Sequence, residues 1–147
     1  MSLLKMKRIL QGVAIAHIFA GIALPFLVNT PLFAPYNARL YRSLDVSSTE
    51  QSAAIVFLIG LFGPTIASWG VLFLHVVTVS FKNPDQRGWW TMFLCCLAWA
   101  PYDSLLSMQK GIWINALINL ISALIILIPL FVVRRAFFHA GSRMAHE

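Results

Sequence analysis

Four long apolar runs separated by short polar stretches dominate the chain. Residues 9–38, 51–81 and 111–133 contain no Lys, Arg, Asp or Glu, and residues 88–109 contain one charge, Asp103. A helix needs about 20 mostly apolar residues to cross a hydrocarbon core ~30 Å thick. The pattern therefore predicts an all-α protein, an integral membrane bundle of four transmembrane helices in up-down-up-down order. The spans fall at about residues 9–28, 53–80, 89–107 and 112–133, in a single domain over residues 1–147. The connections are short except for an outer loop at residues 29–50.

Local signals refine each span. In the first, Gly12, Ala16 and Ala20 recur every four residues, a spacing that lets another helix approach closely. Gly60, Gly63, Ala67 and Gly70 form a similar stripe on the second span. The expected contact is Gly12/Ala16/Ala20 against Gly60/Gly63/Ala67. Another face of the second span carries Thr65, Ser68, Leu72, His75 and Val79 at steps of three and four. As a straight helix the run 51–81 would be ~46 Å long. Gly63-Pro64 is its expected kink, because proline removes a backbone donor and clashes with the preceding turn. Ser47-x-x-Glu50 and Ser48-x-x-Gln51 are overlapping capping boxes at its start.

The connections carry their own signals. Pro31 and Pro35 break the helix before the outer loop. Pro35 can open a short surface helix with Tyr36, Leu40 and Leu44 on one face and Arg39 and Arg42 toward water. An irregular loop anchored by its tyrosines fits the same residues. Trp89 and Trp90 are expected in an interfacial aromatic belt. Arg134-Arg135 ends the last span, followed by a basic, lipid-contacting tail that includes Phe137 and Phe138.

Hydrophobic residues make up 59% of the chain and charged ones 11%, against about 45–50% and about 25% in soluble domains. No segment is long and polar enough for a separate soluble domain. The net charge of +6 flanks the apolar runs, which favours anionic lipid headgroups over nucleic acid as its counterpart. With the N-terminus inside, Lys5, Lys7, Arg8, Lys82, Arg87, Arg134, Arg135 and Arg143 lie inside, and only Arg39, Arg42 and Lys110 lie outside. That positive-inside bias places both termini in the cytoplasm. The first apolar run is longer than the roughly 7–15 residues of a signal-peptide core, so it reads as an uncleaved helix. Small bacterial inner-membrane proteins share this four-span plan; the analogy is one of architecture, and no motif identifies a family.

A few polar groups inside the runs are candidates for chemistry. Asp103 lies in the outer third of the third span, and a carboxylate at membrane depth is a functional hypothesis by default. Across a tight turn, Asn115, Asn119 and Ser122 occupy one face of the fourth span at i, i+4 and i+7. An Asp103–Asn115–Asn119 cluster is therefore expected, extended by Tyr102, Ser104 and Ser107. It can serve as glue between helices, as the polar end of a pocket, or as a titrating transport site. His17 and His75 sit near one depth on the first two spans, the minimum for bis-imidazole haem. A hydrogen bond from His75 to Ser68 or to a headgroup phosphate is the simpler use. His139 and His146 fall in the tail, where they are expected to be solvated. The adjacent Cys95 and Cys96 suit neither a relaxed disulfide nor a metal site, which needs spaced ligands, and read as apolar filling.

Serine-nucleophile, HExxH, P-loop and Cys-x-x-Cys patterns are absent, which points away from hydrolase, nucleotide and thiol chemistry. The expectation is a non-enzymatic membrane protein that binds a lipid, a small apolar molecule or a partner subunit. Its pocket would open toward the outer leaflet, roofed by residues 29–50 and polarised by Asp103, Asn115 and Asn119. The alternatives are a dimeric proton-coupled transporter using Asp103 and a haem-bearing redox subunit using His17 and His75. No other cofactor and no metal is expected.

Overall fold

The computed structural model describes residues 2–143, and side chains as far as Phe138; the expectations for His139 and His146 lie outside the described side chains. The described residues form five helices and no strand: α1 (Leu3–Leu27), α2 (Ala34–Ser43), α3 (Thr49–Ser80), α4 (Gln86–Gln109) and α5 (Trp113–Arg143). Three of them, α1, α3 and the Trp113–Phe138 part of α5, are long and apolar enough to cross a membrane, as in an integral membrane protein. At 24 residues α4 is long enough, yet it is the least apolar of the long helices, holding Asp103 and ending in polar residues.

Caps explain where the helices begin. The Ser2 hydroxyl accepts the Lys5 N–H at 3.3 Å, so α1 starts ahead of its charged residues and of the first apolar run. Of the two overlapping capping boxes, the one at Ser48 forms. The Ser48 Oγ accepts the Gln51 N–H and the Gln51 Oε1 accepts the Ser48 N–H, both at 3.2 Å. The Ser47–Glu50 pattern goes unused, because Gln51 also takes the Ser47 N–H at 2.9 Å. α3 continues through Gly63-Pro64 as one helix. Asp85 caps α4 by accepting the Gly88 N–H at 2.7 Å, and Gly111, at φ +71°, supplies the left-handed turn between α4 and α5. The outer loop contains a real helix, α2, with Asn37 and Leu40 buried. Leu44 does not share that face; it is the C-cap residue and is exposed.

α1 and α3 run antiparallel, as do α4 and α5, and α1–α5 and α3–α4 contacts close a ring of four. Along α1 the contact stripe is Met6, Leu10, Ala14, Gly21 and Pro25. A Cβ on Gly21 would collide with the Ala67 backbone, and one on Gly70 would lie 2.8 Å from the Ala14 carbonyl oxygen. Gly63 packs on Pro25 in the same seam. The expected partner stripe on α1 is therefore corrected. Gly12, Ala16 and Ala20 are exposed, and Gly12 has open space beside it. Small residues recur on two faces of α1, and the large buried pair Met6 and Leu10 decides which face turns inward.

The densest packing lies at the end where α3 turns into α4. Trp89 is 2% exposed, and its indole N–H donates to the Leu130 carbonyl at 2.8 Å. It is a core residue rather than part of an outward-facing belt, whereas Trp90 is 42% exposed. α5 runs straight past Arg134-Arg135. Phe137 is fully buried with its ring 5.1 Å from Phe81, and the Arg134 guanidinium lies 5.1 Å over Phe138. The segment expected as a surface tail thus begins as a packed extension of the bundle.

Candidate functional site

Polar residues on the facing sides of α4 and α5 form a ladder between the two helices. The Asn119 amide donates to Asp103 Oδ2 at 2.6 Å, and the Asn115 amide donates to Ser107 Oγ at 3.4 Å. The pairs are one helical turn apart on each helix, so antiparallel neighbours stack them as two rungs. Buried Cys96, Met92, Ile126 and Leu130 continue the same faces further along. Asn119 and Ser107 are buried, while Asp103 and Asn115 are half-buried. Ser104 bonds back to its own helix at the Ala100 carbonyl, 2.6 Å away. Tyr102 points outward at 66% exposure, and Ser122 is half-buried without joining the ladder.

Two open grooves lie at the α2 end. The first, about 690 Å³, runs between α4 and α5 beside the ladder. Ala100, Pro101, Leu117, Leu120 and Ala123 wall it, Trp113 and Met108 stand near its mouth, and Arg39 of α2 overhangs it. A bond from the Ser43 hydroxyl to the Lys110 carbonyl ties α2 to the α4–α5 turn. Neither Asp103, Asn115, Asn119, Ser122 nor Tyr102 lines this groove. The polar residues that line it are Ser104, whose hydroxyl is spent on its own helix, and Arg39, whose guanidinium is planar and permanently charged, with donors in a fixed fork that matches carboxylate and phosphate oxygens.

The second groove, about 710 Å³, lies between α1, α2 and the first half of α3, with Pro25, Tyr41, Phe57 and Pro64 on its walls. Behind it the Asn37 amide donates to the Val28 carbonyl at 2.8 Å, tying α2 to the end of α1. Asn37 Oδ1 is buried without a partner.

His17 and His75 are not brought together. His17 Nδ1 donates to the Val13 carbonyl at 2.8 Å, and its ring sits 4.7 Å from Trp69 and 6.4 Å from Trp99. His75 is exposed. It follows Trp69 by six positions, which carries it ~240° around α3, away from the face that His17 touches. No group of three or more metal-ligating side chains gathers among the described residues.

No known protein family, curated protein or solved structure matches this chain. Function must therefore be argued from the site. Arg39 is the residue that sequence reasoning assigned to water. Its position in the groove follows from where α2 docks, and the sequence signal is its place beside Leu40.

Proposed function

We propose that this is a non-enzymatic membrane protein that holds an anionic amphipath, of phospholipid or fatty-acid type, in the groove between α4 and α5. In this reading α4 is the fourth span, both termini are cytoplasmic, α2 lies on the outer face of a bacterial inner membrane, and the groove faces the outer leaflet. The observation that carries the proposal is Arg39 on the wall of a groove that is otherwise almost wholly apolar. An acyl chain would lie along Leu117, Leu120 and Ala123 while its phosphate or carboxylate meets the guanidinium.

The energetics favour the headgroup as the discriminating part. Lipid tails are as apolar as the groove wall, so exchanging one apolar neighbour for another gains little. A charge-assisted, bidentate contact in a half-desolvated site is worth more and is specific for the anion. Asp103 and Asn119 then act as the lock that holds α4 and α5 at the spacing that makes the groove, rather than as ligand contacts.

Native mass spectrometry of the protein extracted gently from its own membrane tests this. The expected result is a retained anionic lipid on the wild type and on Arg42→Gln, and its loss from Arg39→Gln. Equal lipid retention by Arg39→Gln and wild type, or retention of zwitterionic lipid only, would refute the proposal.

A further inference from the structure

We infer that the outward face of α3 is the interface of a parallel homodimer. Leu58, Leu61, Thr65, Ser68, Leu72, His75 and Val79 follow one another at alternating steps of three and four, and all are exposed. The same spacing runs back to Gln51. This is the a/d repeat of a left-handed helix pair crossing at about 20°. From Gln51 to Val79 it spans about four heptads, with Gln51, Thr65, Ser68 and His75 as its polar positions. Each seam position lies two residues, ~200° around the helix, from a residue that packs inward, such as Gly63, Gly70, Phe73 or Val77. The seam is thus centred on the side of α3 turned away from α1, with Leu61 at its edge also bordering the second groove.

Polar atoms on that face argue against lipid as its neighbour. Elsewhere, hydroxyls fold back onto their own helix: Thr78 to Leu74, Thr91 to Arg87 and Ser104 to Ala100, at 2.6–2.9 Å. The hydroxyls of Thr65 and Ser68 and the His75 imidazole make no hydrogen bond among the described residues. In hydrocarbon such groups seek a partner on another helix.

A second copy of this chain supplies it. The face has no charge, so it offers nothing for a charged partner to match. A hydroxyl and a neutral imidazole each carry both a donor and an acceptor. Identical groups meeting across a two-fold axis therefore satisfy one another, the self-complementarity that a symmetric interface requires. Copies inserted with the same topology present their α3 helices in parallel, which sets Ser68 level with Ser68 and His75 level with His75. The groove under Arg39 is built from α4 and α5, so the inference does not depend on its ligand.

Cysteine scanning of residues 58–79, in the full-length protein with Cys95→Ser and Cys96→Ala and in native membranes, tests the seam. Oxidative cross-linking is expected to peak at the seven seam positions, with troughs at Ile59, Ile66 and Val76 and little product from Leu117→Cys on α5. A profile without that repeat, or stronger cross-links from α5, overturns the inference. Energy transfer between labelled copies is the second measurement. Ser68→Leu and His75→Leu, both on an exposed face, are each expected to weaken dimerisation by roughly three- to twentyfold, the loss of one interhelical hydrogen bond. Unchanged association, or a different polypeptide bound at the seam, also overturns it.

Discussion

The two ends of the bundle are built differently. Where α3 turns into α4, Met6, Phe81, Trp89, Met92, Leu130 and Phe137 are almost completely buried, and three long helices carry their aromatic rings into one cluster. At the α2 end two grooves of about 690 and 710 Å³ open beside the helices, lined by small side chains and prolines together with Tyr41, Phe57 and Trp113. One end is a base that fixes the helices, and the other is an open, grooved surface crossed by specific polar ties. Those ties are Asn119–Asp103, Asn37–Val28 and Ser43–Lys110. Under the proposed function, stability and binding are separated along the bundle axis, so substitutions at the two ends should fail in different ways.

The largest expected effect is at the base. Trp89→Ala removes a buried indole and its bond to the Leu130 carbonyl, and is expected to cost about 3–5 kcal/mol in equilibrium unfolding from detergent micelles. The seam between α1 and α3 comes next. Gly21→Val drives a side chain into the Ala67 backbone and should cost about 1–3 kcal/mol or more. Gly12→Val, on the open face, should stay within about 0.5 kcal/mol; similar losses for both would restore the Gly12 stripe as the contact.

At the ladder, Asp103→Leu leaves the buried Asn119 amide unpaired and should cost about 1–3 kcal/mol, whereas Asp103→Asn keeps an acceptor and should cost less than about 1 kcal/mol. If lipid retention survives Asp103→Asn, the residue is a lock; if a proton-driven flux disappears with it, the site is a transport site. The smallest effect on stability belongs to Arg39→Gln, expected within about 0.5 kcal/mol, while lipid retention is lost.

Much of this plan is legible in the chain because charges are so rare in it. Breaks between apolar runs mark the long helices, Ser48–Gln51 marks the start of α3, and the i, i+4 spacing of Asn115 and Asn119 across a tight turn marks the ladder. What is not legible is which face of a span turns inward. In water an apolar stripe answers that question, but in a membrane the inside and outside of the bundle are equally apolar. Hence the stripe Gly12/Ala16/Ala20 points to the wrong face of α1, whose contact runs through Ala14 and Gly21, and Trp89 reads as an interfacial residue when it is core. Arg39 was hidden for another reason. Its position over the groove depends on how α2 folds back onto the α4–α5 turn, a relation between segments about 60–80 residues apart that no local pattern records.

Hydrogen exchange in mixed micelles, with and without added anionic phospholipid, tests the division between the two ends most directly. The predicted result is added protection confined to α2 and to residues 100–123 in the wild type, absent in Arg39→Gln, with the Trp89 end unchanged in both. Protection that spreads evenly along the helices, or that persists in Arg39→Gln, would contradict a receptive end organised by that guanidinium.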